Sequence, residues 1–152
     1  MTAALSDPAL KTSSIELLVN IDVPDLEQAV RFYTAALGMH VGRRFGASAV
    51  ELLGLAVPVY LLVKTLGSTP IPGASHARDY RRHWTPVHLD FAVPDLGPAV
   101  SAVLDAGGSQ EGPIQDHIWG RMALMADPFG HGLCLLEWKG RGYDEIAEAK
   151  VP

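Results

Sequence analysis

Apolar and polar side chains alternate from Ile15 to Val23, with Leu17, Val19, Ile21 and Val23 on one side and Leu18, Asn20 and Asp22 on the other. A period of two predicts a strand with one buried face. Pro24 interrupts the strand, Asp25 is suited to cap a helix, and Leu26, Ala29, Val30, Tyr33 and Leu37 then recur at helical spacing up to Gly38. The pattern returns further on. Val87, Leu89, Phe91 and Val93 alternate with His88, Asp90 and Ala92; Asp95 caps; Leu96, Ala99, Val100, Val103 and Leu104 make an apolar stripe that ends at Gly107-Gly108. Pro98 falls in the first helical turn, where its missing N–H is tolerated. VPDLEQAV at 23–30 and VPDLGPAV at 93–100 are thus one framework used twice, 70 positions apart, and Gly38 and Gly108 keep that offset.

Shorter strand-like runs follow each helix. They are HVGRRF (40–45), AVELLG (49–54) and VPVYLLVKTL (57–66) in the first half, and SQEGPI (109–114), RMALMA (121–126) and GLCLLEWK (132–139) in the second. The chain divides into an N-terminal extension (1–14), a β-α-β-β-β module (15–66), a linker (67–86), a second such module (87–139) and a tail (140–152) ending in a short surface helix. The Gly/Pro/Ser-rich linker stretch GSTPIPGASHARDYRRH (67–83) is longer than most connections, which suits a hinge or a lid.

Neither module buries a one-sided sheet alone. The expected fold is α+β, with the two tandem modules forming one curved eight-stranded sheet, both helices on its convex side and a concave pocket opposite. Alternation sends Leu17, Val19, Ile21, Val87, Leu89 and Phe91 toward the helices, and Leu18, Asn20, Asp22, His88, Asp90 and Ala92 into the concavity.

Composition narrows the function. With 152 residues and 48% hydrophobic content, the chain suffices for one domain or two small ones sharing a core. Twelve Lys+Arg against 17 Asp+Glu argue against a nucleic-acid surface. No run approaches the roughly 20 apolar residues of a membrane span, and the opening stretch lacks the apolar region of a secretory leader. A single cysteine, Cys134, excludes an intramolecular disulfide and a Cys-rich zinc site. A cytoplasmic location follows as the expectation.

Three stretches carry a resemblance: NIDVPDLEQAVRFYTAALGM (20–39), HLDFAVPDLGPAVSAVLDAGG (88–108) and MADPFGHGLCLLEW (125–138), the last with Asp127, Pro128, Gly130 and Leu135 in a D-P-x-G-x-x-x-x-L ending. Together they resemble the vicinal oxygen chelate superfamily of glyoxalases, bleomycin-resistance proteins and extradiol dioxygenases. The resemblance implies the paired-module fold, a small-molecule ligand and a homodimer whose pocket is often completed across subunits. It also implies metal ligands on the first and last strands of each module. Those positions hold His88 and Cys134 in the second module, but Leu18 and Tyr60 or Leu61 in the first. The usual divalent-metal centre needs about three imidazole or carboxylate donors, so no metal cofactor is expected; a divalent metal, if present, would sit on His88 and Cys134.

His88 is the candidate catalytic residue, as a general base near neutral pH. Asn20, Tyr60, Asp90, Trp119, Arg121 and Cys134 are candidate ligand-binding residues. Asn20 and Asp90 occupy equivalent positions of the two copies. Trp119 and Arg121 stand with Trp84, Trp138, His83 and His117 in or beside loops that could border the concavity. Cys134, with no adjacent cation to acidify it, reads as a small buried hydrophobe rather than a nucleophile. The Arg43-Arg44 and Arg81-Arg82 pairs read as solvated faces, and His131 as part of a tight turn. Two functions fit: a metal-free protein of the glyoxalase/bleomycin-resistance type that binds a planar or aromatic molecule, or a metal- or His-dependent lyase, isomerase or dioxygenase with a rearranged site. In the second, Cys134, Asp90 or Glu51 would be co-ligands with His88.

Overall fold

The computed structural model of the protein describes residues 15–148. The N-terminal extension (1–14) and the last residues of the tail lie outside them.

Two β-α-β-β-β modules are present. The first comprises β1 (Val19–Val23), α1 (Leu26–Leu37), β2 (His40–Phe45), β3 (Ala49–Leu53) and β4 (Val59–Val63). The second comprises β5 (Leu89–Ala92), α2 (Leu96–Asp105), β6 (Ser109–Gln110), β7 (Gln115–His117), β8 (Gly120–Ala126) and β9 (Gly132–Trp138), followed by a short 3-10 turn at Gly142–Glu145. The repeated aspartates cap both helices: the Asp25 carboxylate accepts from Gln28 N at 2.9 Å and that of Asp95 from Gly97 N at 3.1 Å.

Pairing runs β1-β4-β3-β2 in the first module and β5-β9-β8-β6 in the second, with β7 also on β8. The strands therefore form two sheets, of four and five strands, in place of the single eight-stranded sheet expected. β1 pairs only with β4 and β5 only with β9, both in parallel, so each is a sheet edge. The run SQEGPI at 109–114, expected as one strand, pairs only at Ser109–Gln110 as β6; a turn follows, and β7 begins at Gln115.

α1 and α2 pack on each other, and one hydrophobic cluster takes residues from both modules. Val23, Ala29, Val50 and Leu61 from the first and Leu96, Val103, Met125 and Leu135 from the second are fully or almost fully buried. Each of these side chains apart from Ala29 contributes about 1.5–3 kcal/mol. Leu17 and Val87 do not join them. They precede the paired segments of β1 and β5 and remain 65% and 79% exposed.

Polar pins close the seam. The Asp127 carboxylate, 4% exposed, accepts from Phe129 N at 2.8 Å and His131 N at 2.9 Å, which makes the D-P-F-G turn. Its second oxygen accepts from the Tyr33 hydroxyl of α1 at 2.7 Å. His131 is structural in the same way: its Nε2 donates to the Asp22 carbonyl of β1 at 2.7 Å. The linker is tied down as well. Arg78 pairs with Asp22 at 2.7 Å, and the Tyr80 hydroxyl donates to the Lys64 carbonyl at 2.7 Å. At Gly130 (φ +88) an added Cβ would lie 2.5 Å from the Arg81 carbonyl oxygen and 2.6 Å from that of Tyr80. The linker is thus a strap pressed onto the D-P-F-G turn.

Candidate functional site

Parallel pairing of β5 with β9 sets Asp90 beside Cys134, and His88 enters just ahead of β5 on the same side. The donor atoms of His88, Asp90 and Cys134 all lie within 4.8 Å of one another. His88 Nε2 is 3.2 Å from Asp90 Oδ1, both side chains about 40% exposed, while Cys134 is buried. Burial, together with the Asp90 charge and its hydrogen bond to the thiol, pushes Cys134 up to about 12. At neutral pH Cys134 is a thiol, unsuited to nucleophilic attack. His88 and Asp90 are the polar groups beside it, an imidazole 3.2 Å from a carboxylate.

The equivalent pairing in the first sheet sets Asn20 beside Tyr60, and Tyr60 beside Glu51. Here the chemistry differs. Glu51, 5% exposed, accepts from Arg43 Nε at 2.9 Å, from Arg43 N at 3.1 Å and from the Tyr60 hydroxyl at 2.8 Å. Its hydrogen bonds to Arg43 and Tyr60 hold Glu51 down to about 2, and the Glu51 bond raises Tyr60. Arg43 is therefore the partner of a buried carboxylate while its own side chain stays 65% exposed. Its lone acidic neighbour in an apolar strand, Glu51 within AVELL, is the sequence signal for that role.

Between the edges of β1 and β5 opens a cleft of about 390 Å³, whose wall includes Asn20, Asp22, Tyr33, His83, His88 and His131. Asn20 and His88 are thus brought together on one cavity. Tyr60 stands on the first sheet with Glu51 and Arg43.

Trp119 and Arg121 are placed elsewhere. Trp119 stacks on His117 (ring centroids 4.7 Å apart) and packs with Trp138 and Tyr143 at the far end of β8. Arg121 makes a bidentate pair with Glu137, whose carboxylate also accepts from Leu96 N at the start of α2. Arg121 shares its side of β8 with buried Ala123 and Met125, so it faces the helix layer. Of the loop residues expected to border the concavity, Trp84 reaches His88, and Glu111, not singled out in the sequence as part of this site's surroundings, holds Trp84 in turn. Trp84 meets the His88 ring edge to face at 5.4 Å, and Glu111 holds Arg82 and Trp84.

A zinc ion with ligands at about 2.0–2.3 Å needs donor atoms about 3.5 Å apart. The donor atoms of His88, Asp90 and Cys134, within 4.8 Å of one another, are near that span. Nitrogen, oxygen and sulfur donors of this kind fit a soft ion such as zinc; they do not make the oxygen-rich set of magnesium or manganese. Binding would have to displace the Cys134 proton. Among the described residues no other group of three His, Cys, Asp or Glu side chains comes as close.

Paired β-α-β-β-β modules packed through their helices define the fold class of this chain. The chain belongs to the glyoxalase-like domain family, which it matches over residues 18–136, and so to the vicinal oxygen chelate superfamily. It is 31% identical over 119 residues to the anthracycline biosynthesis protein DnrV of Streptomyces peucetius; the match covers 76% of this chain and 38% of that protein. The chain therefore spans about two fifths of the curated relative's length. A glyoxalase/bleomycin resistance protein from Albidiferax ferrireducens is similar in structure, with a TM-score of 0.57, 26% identity and coverage of 80% of this chain and 97% of that one. So is the fosfomycin resistance protein FosX of Listeria monocytogenes, solved with Mn(II) and a dihydroxypropylphosphonic acid, with a TM-score of 0.62, 14% identity and coverage of 87% and 92%. The last likeness concerns the fold alone.

Proposed function

We propose that the protein binds a small, flat, aromatic molecule over the second sheet, with the His88–Asp90 pair meeting its polar edge and without the family's usual metal. One observation carries this reading: the donors gather on one sheet only. His88, Asp90 and Cys134 stand together, whereas the corresponding positions of the first sheet are Leu18, Asn20 and Tyr60. The hard-metal set is thereby lost, while an imidazole and a carboxylate remain to hydrogen-bond a ligand. The description of DnrV as an anthracycline biosynthesis protein supports a fused-ring aromatic as the ligand class.

A homodimer is part of the proposal. Leu17, Leu18 and Val87 are more than half exposed beside the open edges of β1 and β5, and a second copy would cover them. No described helix is long and apolar enough to cross a membrane, and the lone Cys134 suits a cytoplasmic location.

The second reading, a metal-dependent lyase, isomerase or dioxygenase, is favoured by the proximity of three donors. Elemental analysis of untagged protein, followed by calorimetric titration of the flat dihydroxyanthraquinone alizarin, separates the two. Saturable alizarin binding without stoichiometric metal, weakened in His88→Ala, is expected. Stoichiometric zinc that disappears in both His88→Ala and Cys134→Ser would overturn the metal-free reading.

A further inference from the structure

The strap between the modules does more than connect them. His83 and Thr85 line the cleft between β1 and β5, whereas Trp84, between them, is not part of its wall. Its ring lies edge to face against His88, with centroids 5.4 Å apart. Three features hold it there. The Arg82 guanidinium sits 4.5 Å over the indole ring. Glu111, at the end of β6, pairs with Arg82 and accepts from the indole Nε1 at 3.3 Å. Beneath them Gly132 of β9 is bare: an added Cβ would come within 2.8 Å of Arg82 Nη2 and 2.9 Å of the Trp84 ring. An indole fixed by a cation, a carboxylate and a missing side chain is preorganised, yet Trp84 remains 45% exposed. A packing tryptophan would be expected to bury that surface.

We infer that Trp84, clamped by Arg82 and Glu111 over Gly132, is the aromatic wall of the His88 site and selects flat aromatic ligands. The inference rests on the small-molecule reading above and names its specificity residue. A flat ring system lies along the exposed part of the indole with its polar edge toward His88 and Asp90. Offset or edge-on ring contacts, with the apolar area they cover, supply selectivity that a hydrogen-bonding pair alone does not. Arg82 is the positioning residue: it touches the indole and acts on the ligand through it.

Alizarin titrated into the wild type, Trp84→Ala, Trp84→Phe, Gly132→Ala and His88→Ala tests this, with thermal melts to verify folding. Trp84→Ala and Gly132→Ala are expected to weaken alizarin by about tenfold or more, and Trp84→Phe to recover most of the loss. Gly132→Ala keeps the indole but displaces it, so it serves if Trp84→Ala fails to fold. Alizarin should also quench wild-type indole fluorescence strongly and that of Trp84→Phe weakly, because Trp119 and Trp138 sit at the far end of the sheet. If His88→Ala weakens binding while Trp84→Ala and Gly132→Ala bind normally, the aromatic wall is overturned and the His88 site stands. If the Trp84 and Gly132 variants lose affinity while His88→Ala does not, the wall stands and the His88 reading fails. Absence of saturable binding to the wild type overturns the inference, since the ligand class is then wrong.

Discussion

Replacing Tyr33 with Phe removes one hydroxyl from the seam between the modules and little else. Tyr33 is 2% exposed and its hydroxyl lies 2.7 Å from Asp127 Oδ2. The ring keeps its perpendicular contact with Phe32 at 5.0 Å, so no cavity is opened. Asp127 Oδ1 keeps Phe129 N and His131 N, so the turn survives and only Oδ2 loses its partner. A hydrogen bond to a charged acceptor contributes about 1.5–3 kcal/mol, and a buried acceptor left bare falls in the upper part of that range. A loss of about 2–3 kcal/mol is expected, or roughly 5–10 °C in Tm for a chain of this size. Urea unfolding followed by circular dichroism at neutral pH measures it. A double-mutant cycle with Asp127→Asn should show a coupling above about 1 kcal/mol. A loss under about 0.5 kcal/mol, or additive single variants, would refute the role given to this pin. The pin also predicts alkaline behaviour. Burial, then the Asp127 charge and hydrogen bond, hold the Tyr33 phenol well above its ordinary range. Its contribution is complete below the ordinary tyrosine value of about 10 and is lost as pH rises beyond it, so the wild type should lose stability more steeply there than Tyr33→Phe.

Three other outcomes follow from the same structure. Glu51, held to about 2 by Arg43 and Tyr60, stabilises the fold above the ordinary carboxylate value and loses that contribution as pH falls toward 2; Glu51→Gln should flatten the acid limb of a melting-temperature profile. Gly130→Ala places a Cβ 2.5 Å from the Arg81 carbonyl oxygen at φ +88, and should cost more than about 2 kcal/mol. It should also speed hydrogen exchange at the His83 amide, which donates to the Gly130 carbonyl at 3.1 Å. Arg121→Ala should lower the melting temperature by freeing Glu137 at the start of α2, yet leave alizarin affinity unchanged.

The elements that repeat were legible because local chemistry fixes them. Asp25 and Asp95 cap where the V-P-D-L framework predicts, and the alternation along NIDV separates buried Ile21 and Val23 from Asn20 and Asp22. The juxtaposition of His88, Asp90 and Cys134 was half visible. Alternation puts His88 and Asp90 on one side, but only the β5–β9 register brings Cys134 to Asp90, and register is a tertiary property. Whether β1 and β5 share a ladder was not encoded, because an edge strand and a paired strand carry the same side-chain pattern. Arg121 was grouped with its neighbour Trp119, whereas its partner is Glu137. The alternation Arg121, Ala123, Met125 against Leu133, Leu135, Glu137 assigns it to the helix side, with Glu137 as the matching charge. Trp84 carried no periodic signal, since its place is set by strap contacts with Glu111 and Gly132 that lie far away in sequence.

The strap has a consequence for covalent continuity. Arg78 grips Asp22, Tyr80 grips the Lys64 carbonyl, His131 reaches the Asp22 carbonyl and Tyr33 meets Asp127. Every one of these links joins parts that the peptide chain already connects, and α1 packs on α2 beneath them. Cutting the backbone near Pro72, an exposed position that none of these links uses, therefore leaves the two halves held as one particle. Separately expressed halves broken there should find each other and reassemble, as a split protein does.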